Sequence, residues 1–571
     1  MEDSEMALIE VKHLKYRYPN TSRLALNDIS FSADTGEIIG ITGANGAGKS
    51  TLAQALAGLV PQFYKGAYGG QVLVDGLDTA KIPICELCRT VGLVFQNPFS
   101  QLTGAKDNVF EEAAFGLQNL GIPADEIRKR TEEALSLLGL TPFRDRNPFR
   151  LSGGQMQRTA IAGILSMQPR VLILDEPTSQ LDPSGTEEVF KAVQKLAKSG
   201  ITILIAEHKM EKLAEFCSRI LLLENGTLTD FDIPSHIFSR ENLTVHGICP
   251  PVYVSLCRSI HLRRKDGTYP VTEDETLPLL SEFPDTDGQL KKTVRTLFSS
   301  SIHQKKTDLP NGTKTPPVSE PVFQIRNVSF SYTSGVSVLK NLNLALDTRP
   351  TAVIGQNGAG KTTLARLLKG LLKPEQGEIF YKSKNLAAQS VASLASEIGY
   401  VFQNPDDQIF KSSVLEEVMF GPVQIGMTRQ QAENSARASL SMTGLLPAAD
   451  LNPYDLELSD RKMIALASVL AMKPKVLILD EPTIAQDMSG REKIRKIITA
   501  LAEEGCLVFS ILHDMDFAAE TFERILVMSH GMLLADGTPG EIFSEPDLLQ
   551  AAGLEPPHLF SLFRKSGLLS P

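Results

Sequence analysis

Hydrophobic and polar residues alternate along some stretches of the chain, which predicts strands, and recur with helical periodicity along others, which predicts helices. Residues 7–18 alternate apolar and polar side chains, a pattern typical of an antiparallel strand with one buried face. The apolar runs at 171–176 and 201–208 are continuous, as in parallel strands covered on both faces. Helical periodicity extends from about residue 107 to 165, and residues 219–231 predict a hairpin that turns at Asn-Gly. The pattern therefore predicts an α/β fold with a mainly parallel core sheet, additional antiparallel strands and a helical segment.

The same series of elements occurs twice. Five landmarks of the first half return in the second half at nearly constant spacing. They are Lys49 and Lys361 (312 residues apart), Gln96 and Gln403 (307), Leu151 and Leu458 (307), Glu176 and Glu481 (305), and His208 and His513 (305). A repeat of this length indicates a duplicated domain, because the repeats of solenoid proteins are only about 20–50 residues long.

Chain length and local composition set the expected domain boundaries. A chain of 571 residues is too long for one ordinary hydrophobic core. We expect a first domain at 5–265 and a second at 321–571 that ends in a small helical tail around a Pro-Pro break. Residues 266–320 are rich in Pro, Ser, Thr, Gly and Asp and predict a mostly unstructured linker, with a short helix at 289–304.

Bulk composition excludes several classes of protein. The net charge of −10 disfavours nucleic-acid binding, so no nucleic-acid partner is expected. No apolar run approaches the roughly 20 residues of a membrane span, and the acidic start does not resemble a secretory signal. We therefore expect a cytosolic protein that reaches a membrane only through a partner. Cys85 and Cys88 form a lone C-x-x-C, which we interpret as two small apolar residues on a helical turn rather than a metal or redox pair.

Two phosphate-binding loops lie between predicted strands and helices. Gly43–Ser50 and Gly355–Thr362 both match a glycine, four residues, and then Gly-Lys-Ser/Thr. The backbone N–H groups of such a loop surround phosphates, the lysine reaches the β- and γ-phosphates, and the hydroxyl holds Mg²⁺. The predicted nucleotide-binding residues are Gly43, Asn45, Gly46, Gly48, Lys49, Ser50 and Thr51 in the first loop, and Gly355, Asn357, Gly358, Gly360, Lys361, Thr362 and Thr363 in the second. The sequence therefore predicts ATP and Mg²⁺ as cofactors.

Acidic, amide and imidazole side chains follow apolar strands in both halves. A strand that ends in Asp-Glu can supply a Mg²⁺ ligand and then a carboxylate that polarises water. The predicted metal ligands are Asp175, Asp480, Gln96, Gln403, Ser50 and Thr362, and the predicted catalytic residues are Glu176, Glu481, His208, His513, Gln96 and Gln403. An acidic turn after a strand, or an ordinary histidine at a strand end, is the alternative for any one of them. Their recurrence behind both phosphate loops favours the catalytic interpretation.

Taken together, these motifs resemble the ATP-binding cassette (ABC) ATPases. "LSGGQ" at 151–155 matches the signature of that superfamily, and the resemblance covers nearly all the chain outside the linker. It implies two tandem P-loop NTPase domains, each with a mainly parallel core sheet, an antiparallel β subdomain and a helical subdomain. It also implies head-to-tail pairing, with each ATP between one phosphate loop and the signature of the other domain. The signature residues are Ser152, Gly153, Gly154 and Gln155, and Asp182 belongs to the crossing loop.

Two further features follow from the resemblance. Tyr18 and Tyr332 match the aromatic residue that stacks on adenine, although each alone fits a strand-forming tyrosine equally well. The second signature reads Ser459-Asp460-Arg461-Lys462, with Asp460 and Arg461 in place of two glycines. A carboxylate 4 Å from a phosphate is repulsive by roughly 4 kcal/mol at an intermediate dielectric, which Arg461 and Lys462 could offset. We expect the site of Lys361 and Glu481 to be complete and that of Lys49 and Glu176 to turn over slowly.

The segment "VFQNPDDQIF" at 401–410 narrows the resemblance to the ATPases of energy-coupling factor (ECF) importers. That group takes up vitamins, vitamin precursors and transition-metal ions. It implies two membrane partners, a coupling subunit and a small substrate-binding subunit, and a location on the cytoplasmic face of the cell membrane. The alternative is a soluble twin-cassette ATPase that acts on ribosomes or nucleic acid; the acidic charge and the linker composition disfavour it. The cargo is not encoded in this chain.

Overall fold

The computed structural model describes residues 7–96, 101–179, 181, 183–283, 321–332 and 337–567. The chain divides into two compact units, Met1–Phe283 and Pro284–Pro571. Each unit contains one six-stranded and one four-stranded sheet among its described residues. The two units therefore repeat one architecture, as the duplicated motifs predict.

The first unit is built on a six-stranded sheet that is parallel except at one edge. In spatial order its strands are Thr227–Asp232, Arg219–Glu224, Ile38–Thr42, Thr202–Ala206, Val171–Asp175 and Val91–Val94. Only Thr227–Asp232 runs antiparallel to its neighbour, as the predicted hairpin requires. A second, antiparallel sheet consists of Leu26–Ala33, Ile9–Arg17, Ala67–Val74 and Leu77–Asp78.

Helices of the first unit cover the large sheet and form a separate helical subdomain. The α-helices are Lys49–Leu56, Leu59–Gln62, Ile84–Leu87, Val109–Asn119, Ala124–Leu137, Gly153–Ser166, Pro183–Lys198, Met210–Phe216, Pro234–Phe238, Val252–Ser259 and Glu273–Ser281, and Thr141–Phe143 and Pro148–Arg150 are 3₁₀ turns. In the subdomain, the Asn108 side chain accepts a hydrogen bond from Glu111 N and so caps helix Val109–Asn119.

The second unit repeats this arrangement. Its large sheet has the spatial order Ile398–Val401, Val476–Asp480, Leu507–Ile511, Thr351–Ile354, Arg524–Ser529 and Met532–Gly537. Its antiparallel sheet has the order Ser337–Leu346, Phe323–Ser331, Gln376–Tyr381 and Lys384–Asn385. The α-helices are Lys361–Leu368, Val391–Leu394, Val414–Gln424, Arg429–Thr443, Leu458–Leu470, Met488–Glu503, Met515–Thr521, Pro539–Phe543, Pro546–Ala551 and His558–Lys565, with 3₁₀ turns at Leu386–Ala388, Pro405–Asp407, Leu446–Ala448 and Pro453–Asp455.

Each large sheet separates two hydrophobic cores. Along strand Val171–Asp175, Leu172 and Leu174 join the core on the helical side, whereas Val171 and Ile173 join the core beneath the antiparallel sheet. Successive side chains of a strand point to opposite faces, so a strand covered on both faces must be apolar throughout. The continuous apolar runs therefore mark the central strands, which carry the candidate catalytic groups at their carboxyl ends.

The predicted linker begins too early. Residues 266–283 belong to the first unit, where Tyr269 and Val271 are buried in its core and helix Glu273–Ser281 follows. Thr272 caps that helix by accepting from Glu275 N. The predicted short helix at 289–304 lies in the 284–320 segment, outside the described residues. In the tail, Pro557 separates helices Pro546–Ala551 and His558–Lys565.

Two smaller predictions concern cysteines and membrane spans. Cys85 and Cys88 are free thiols at a short helix, and Cys88 Sγ lies 3.2 Å from the carbonyl oxygen of Cys85. The described residues contain no cluster of three or more His, Cys, Asp or Glu side chains arranged to hold a metal. Within the same part of the chain, every helix is too short or too polar to cross a membrane.

Candidate functional site

Each phosphate loop joins a central strand to the helix behind it. The first loop follows strand Ile38–Thr42 and opens helix Lys49–Leu56, and the second follows Thr351–Ile354 and opens Lys361–Leu368. The Lys49 ammonium donates to the carbonyl oxygens of Gly43 and Ala44 at 2.9 and 3.0 Å. Lys361 does the same toward Gly355 and Gln356 at 2.6 and 2.9 Å. Both lysines are thus held over the loop whose N–H groups would surround a phosphate.

The loop conformation needs glycine at the residue before each helix. Gly48 has φ 101° and Gly360 has φ 98°, in the left-handed region that glycine tolerates. A Cβ on Gly360 would lie 2.7 Å from Leu339 Cδ2, and one on Gly48 would lie 2.7 Å from the carbonyl oxygen of Ala25. Both backbone angle and space therefore favour the glycines that the motif predicts.

The candidate metal ligands of each unit converge. Thr362 Oγ1 lies 3.5 Å from Asp480 Oδ1, and Ser50 is hydrogen-bonded to Asp175. Hydroxyl and carboxylate oxygens are the donors that Mg²⁺ prefers, so the residues present fit this ion. Burial and the adjacent glutamate raise the pKa of both Asp175 and Asp480 to about 6. A bound cation would favour their ionised forms.

The candidate catalytic residues of each unit form one hydrogen-bonded cluster. Glu481 Oε2 accepts from Gln403 Nε2 at 2.8 Å, and its Oε1 lies 2.9 Å from His513 Nε2. In the first unit, Glu176 Oε2 accepts from Gln96 Nε2 at 2.6 Å and Oε1 lies 3.1 Å from His208 Nε2. The structure therefore brings together the glutamate, glutamine and histidine that the sequence predicts, twice and with the same pairing.

Electrostatics keeps both glutamates ionised. Burial opposes ionisation of Glu481, but His513, Lys361 and Lys462 outweigh it and lower its pKa to about 2. Burial opposes ionisation of Glu176 as well, and His208 and Lys49 hold its pKa below the usual range. Both carboxylates are therefore in the ionised state that a general base requires.

Both glutamates have a left-handed backbone, with φ 48° at Glu176 and 52° at Glu481. Such a conformation costs a non-glycine residue about 1–3 kcal/mol and is enriched at functional sites. The main chain pays this cost at the same position of each unit, directly after the strand that carries the aspartate.

The two tyrosines lie beside the phosphate-loop helices. Tyr18 Oη is 3.2 Å from Thr51 Oγ1 and 3.0 Å from Gln54 Oε1. Tyr332 Oη is 3.3 Å from Thr363 Oγ1, and its side chain is 55 % exposed. Both rings are thus positioned next to the residue that follows the predicted Mg²⁺ ligand.

The two signature segments differ in structure. Ser152 caps helix Gly153–Ser166 through a capping box, in which Gln155 N donates to Ser152 Oγ and Ser152 N donates to Gln155 Oε1. Helix Leu458–Leu470 has Glu457 as its N-cap and begins without a side-chain cap. Asp182, predicted to serve the crossing loop, lies outside the described residues.

The two cations that could offset Asp460 each contact another group of the second unit. Arg461 Nη1 pairs with Asp406 Oδ1 at 3.0 Å, and Lys462 Nζ donates to the carbonyl oxygen of Glu481 at 3.0 Å. Burial raises the pKa of Asp460; Lys493 opposes this and Asp487 adds to it. Each of these two cations therefore has a polar partner within the second unit.

The second site contains one polar contact that the sequence motifs do not predict. Tyr400 Oη donates to Asp480 Oδ2 at 2.8 Å, and both side chains are buried. The first unit has Leu93 at the equivalent position. The difference between "VGLVFQNP" and "IGYVFQNP" was visible in the sequence, but only the structure connects the tyrosine to the aspartate.

A phosphate loop, an acidic strand end, a glutamine and a histidine in this arrangement define a P-loop ATPase, and the chain contains two. Comparison with known proteins agrees. The ABC transporter family model matches residues 26–179 and 339–484, and the chain belongs to this family. It is an ATP-binding ATPase chain with tandem cassettes.

Several relatives share the full tandem arrangement. A protein of Methanosarcina acetivorans, assigned as an ABC transporter ATP-binding protein, is 37 % identical over 96 % of this chain and 89 % of its own length. A protein of Caldanaerobacter subterraneus with the same assignment is 33 % identical over 98 % of this chain and 96 % of its own. Among solved structures, CbiO1 of Clostridium perfringens, part of the transporter complex CbiONQ, is 31 % identical. The match covers 43 % of this chain and all of CbiO1, with a TM-score of 0.38.

Proposed function

We propose that this chain is the ATP-hydrolysing energy-coupling subunit of a membrane importer of the ECF type. It would drive uptake of a vitamin, a vitamin precursor or a transition-metal ion. The observation that carries the proposal is the segment at 401–410, which resembles the ATPases of these importers. In this segment Gln403 contacts Glu481, while Phe410 at its end is 57 % exposed. One short segment thus connects a candidate catalytic carboxylate with an exposed apolar side chain.

The proposed reaction is attack of water on the γ-phosphorus of ATP, which breaks its bond to the β–γ bridging oxygen. Glu481 accepts a proton from the attacking water, and ADP and phosphate leave. Gln403 and His513 hold the carboxylate through hydrogen bonds to its two oxygens. Lys361 binds the phosphates, and Tyr332 stacks on adenine. Mg²⁺ held by Thr362, Asp480 and Gln403 would neutralise charge on the phosphates.

The two sites differ in the proposal. The signature Ser152–Gln155 would serve the ATP held by Lys361, and Ser459–Lys462 the ATP held by Lys49. In the first of these segments the residues after the capping serine are glycines, so backbone can approach a phosphate closely. In the second, Asp460 brings a carboxylate instead. We therefore propose that the first site, with Tyr18, Ser50, Gln96, Asp175, Glu176 and His208, binds ATP and hydrolyses it slowly.

Exposed aromatic rings support the coupling role. Phe410 and Phe420 contact edge to face at 4.8 Å, and Lys411 Nζ lies within 5.1 Å of both ring centres. The first unit has a related pair, with Lys106 Nζ 5.4 Å from the ring centre of Phe115. Contiguous exposed apolar surface, unlike single exposed side chains, is typical of interaction sites. We propose that a membrane coupling subunit contacts them, so that the chain lies on the cytoplasmic face of the cell membrane.

The test is recovery of the tagged chain from detergent-solubilised membranes of its host, with mass spectrometry of proteins and small molecules. The proposal predicts a polytopic coupling subunit and a small membrane protein, and a co-eluting vitamin or metal would name the cargo. A double variant, Phe410→Asp with Phe420→Asp, tests the proposed contact surface. It should keep its ATPase activity and lose both membrane partners. Recovery of ribosomal proteins or nucleic acid, with nothing from the membrane, would favour the soluble twin-cassette alternative.

A further inference from the structure

The helix that contains the second signature begins earlier than its counterpart in the first unit. The first helix begins at Gly153, which aligns with Asp460 at the spacing of 307 residues. The second helix already begins at Leu458. Its first bond runs from Arg461 N to the Glu457 carbonyl oxygen at 3.0 Å. The extra helical residues fix the direction in which the side chains at 459 and 462 leave the helix.

Lys462 replaces the glutamine of the signature and makes a different contact. Its side chain is buried, and its ammonium donates to the carbonyl oxygen of Glu481 at 3.0 Å. Gln155, the equivalent residue of the first unit, is used locally in the capping box with Ser152. The substitution therefore links the signature helix of the second unit to the catalytic glutamate of the same unit.

A second substitution completes this link from the opposite side. Gln486 is buried and donates from Nε2 to the carbonyl oxygen of Ser459 at 3.0 Å. With the spacing of 305 residues its counterpart in the first unit is Leu181, whose side chain has no hydrogen-bond donor. Two side chains thus bridge helix Leu458–Leu470 and the loop 481–486 in opposite directions. We call Lys462, Glu481, Gln486 and Ser459 the signature–glutamate brace.

We propose that Lys462, supported by Gln486, is a positioning residue for Glu481, so that the residues that depart from the signature strengthen catalysis in their own unit. Glu481 has φ 52°, and a bond to its carbonyl oxygen restrains the peptide that carries this conformation. The inference rests on the proposed role of Glu481 as the residue that accepts the proton from water.

The test compares Lys462→Gln in two backgrounds of the full-length chain. In Glu176→Gln, the remaining ATP turnover depends on Glu481, and Lys462→Gln should lower kcat about 10- to 100-fold with little change in KM, since misplaced catalytic groups cost rate of this order. In Glu481→Gln, the remaining turnover depends on Glu176, and Lys462→Gln should raise it, because the substitution restores the glutamine of the complete signature that serves that site. Lys462→Arg should restore part of the loss, and Gln486→Leu should reproduce a smaller loss in the Glu176→Gln background only.

Three results would overturn the inference. Equal losses in both backgrounds would indicate a general structural defect. A gain in Glu481→Gln with no change in Glu176→Gln would show that Lys462 acts only as a lost signature residue. An unstable Lys462→Gln variant together with full activity of Gln486→Leu would remove the brace as a positioning device. If Glu481→Gln alone leaves turnover intact, the proposed catalytic role of Glu481 fails before the brace is tested, so the two failures are distinguishable.

Discussion

The hydrogen bond from Tyr400 to Asp480 should set the Mg²⁺ requirement of the second site. Replacing Tyr400 with Phe removes one oxygen atom from a buried position and leaves the ring in place. The hydroxyl lies 2.8 Å from Asp480 Oδ2, while the other carboxylate oxygen faces Thr362. The bond favours the ionised aspartate and orients it toward the threonine hydroxyl.

A hydrogen bond to a charged group contributes about 1.5–3 kcal/mol. Since 1.4 kcal/mol corresponds to a factor of ten, its loss should weaken Mg²⁺ binding roughly 10- to 100-fold. The same range is typical for loss of groups that orient a metal ligand. Asp480 already has a pKa raised to about 6 by burial and by Glu481, so removal of a donor raises it further and adds to proton competition.

The assay is the Mg²⁺ dependence of ATP hydrolysis at fixed ATP in the Glu176→Gln background, so that the second site alone is observed. Tyr400→Phe should shift the half-maximal Mg²⁺ concentration upward by at least about tenfold. Tyr381→Phe is the control, because Tyr381 Oη donates to Glu397 at 2.9 Å in the antiparallel sheet. If both variants give the same Mg²⁺ curve, the reasoning about Asp480 is refuted.

Three further predictions concern the loop, the metal and the core. Gly360→Ala should abolish tight ATP binding at the second site in a filter assay, because Gly360 has φ 98° and the new Cβ would meet Leu339. Gly505→Ala is the control and should retain ATP binding, because Gly505 has φ 78° but no described atom lies within 4 Å of the new Cβ. Because the pKa of Asp480 is raised to about 6, protonation of this aspartate contributes stability to the folded chain at low pH, and this contribution is lost as the pH rises through about 6. Mg²⁺ binds the ionised aspartate, so it should raise the Tm more at pH 7.5 than at pH 5. An equal shift at both pH values would contradict this. Phe509→Ala, in a fully buried strand position, should cost about 3–5 kcal/mol of unfolding free energy in urea titrations.

The local motifs could be predicted because strand, loop and helix are consecutive in sequence. The phosphate loops and the Asp-Glu strand ends need no long-range information beyond the sheet order that brings carboxyl ends of parallel strands to one edge. The predicted start of the linker differs from the structure because the local composition is that of a linker although part of the segment is buried. Tyr269 and Val271 lie among Pro, Thr, Gly and Asp residues but pack into the core of the first unit. The Thr272–Glu275 spacing is the one local signal of the helix that follows.

The contacts of Lys462 and Gln486 could not be predicted from the sequence. Comparison of the repeats identifies both positions as different from Gln155 and Leu181, but a sequence difference gives no partner. The partners follow from where helix Leu458–Leu470 begins and how it packs against the loop after strand Val476–Asp480. Tertiary packing decides such contacts, and no side-chain capping motif in the sequence indicates that the helix begins this early.

The central claim is that the chain has two ATP sites of unequal activity, and a comparison of Glu176→Gln with Glu481→Gln tests it most directly. Steady-state ATP turnover and nucleotide occupancy should be measured for both full-length variants and the unmodified chain. The account predicts that Glu481→Gln removes most turnover while ATP remains bound at both sites, and that Glu176→Gln leaves most turnover intact. Equal losses from the two substitutions would contradict it.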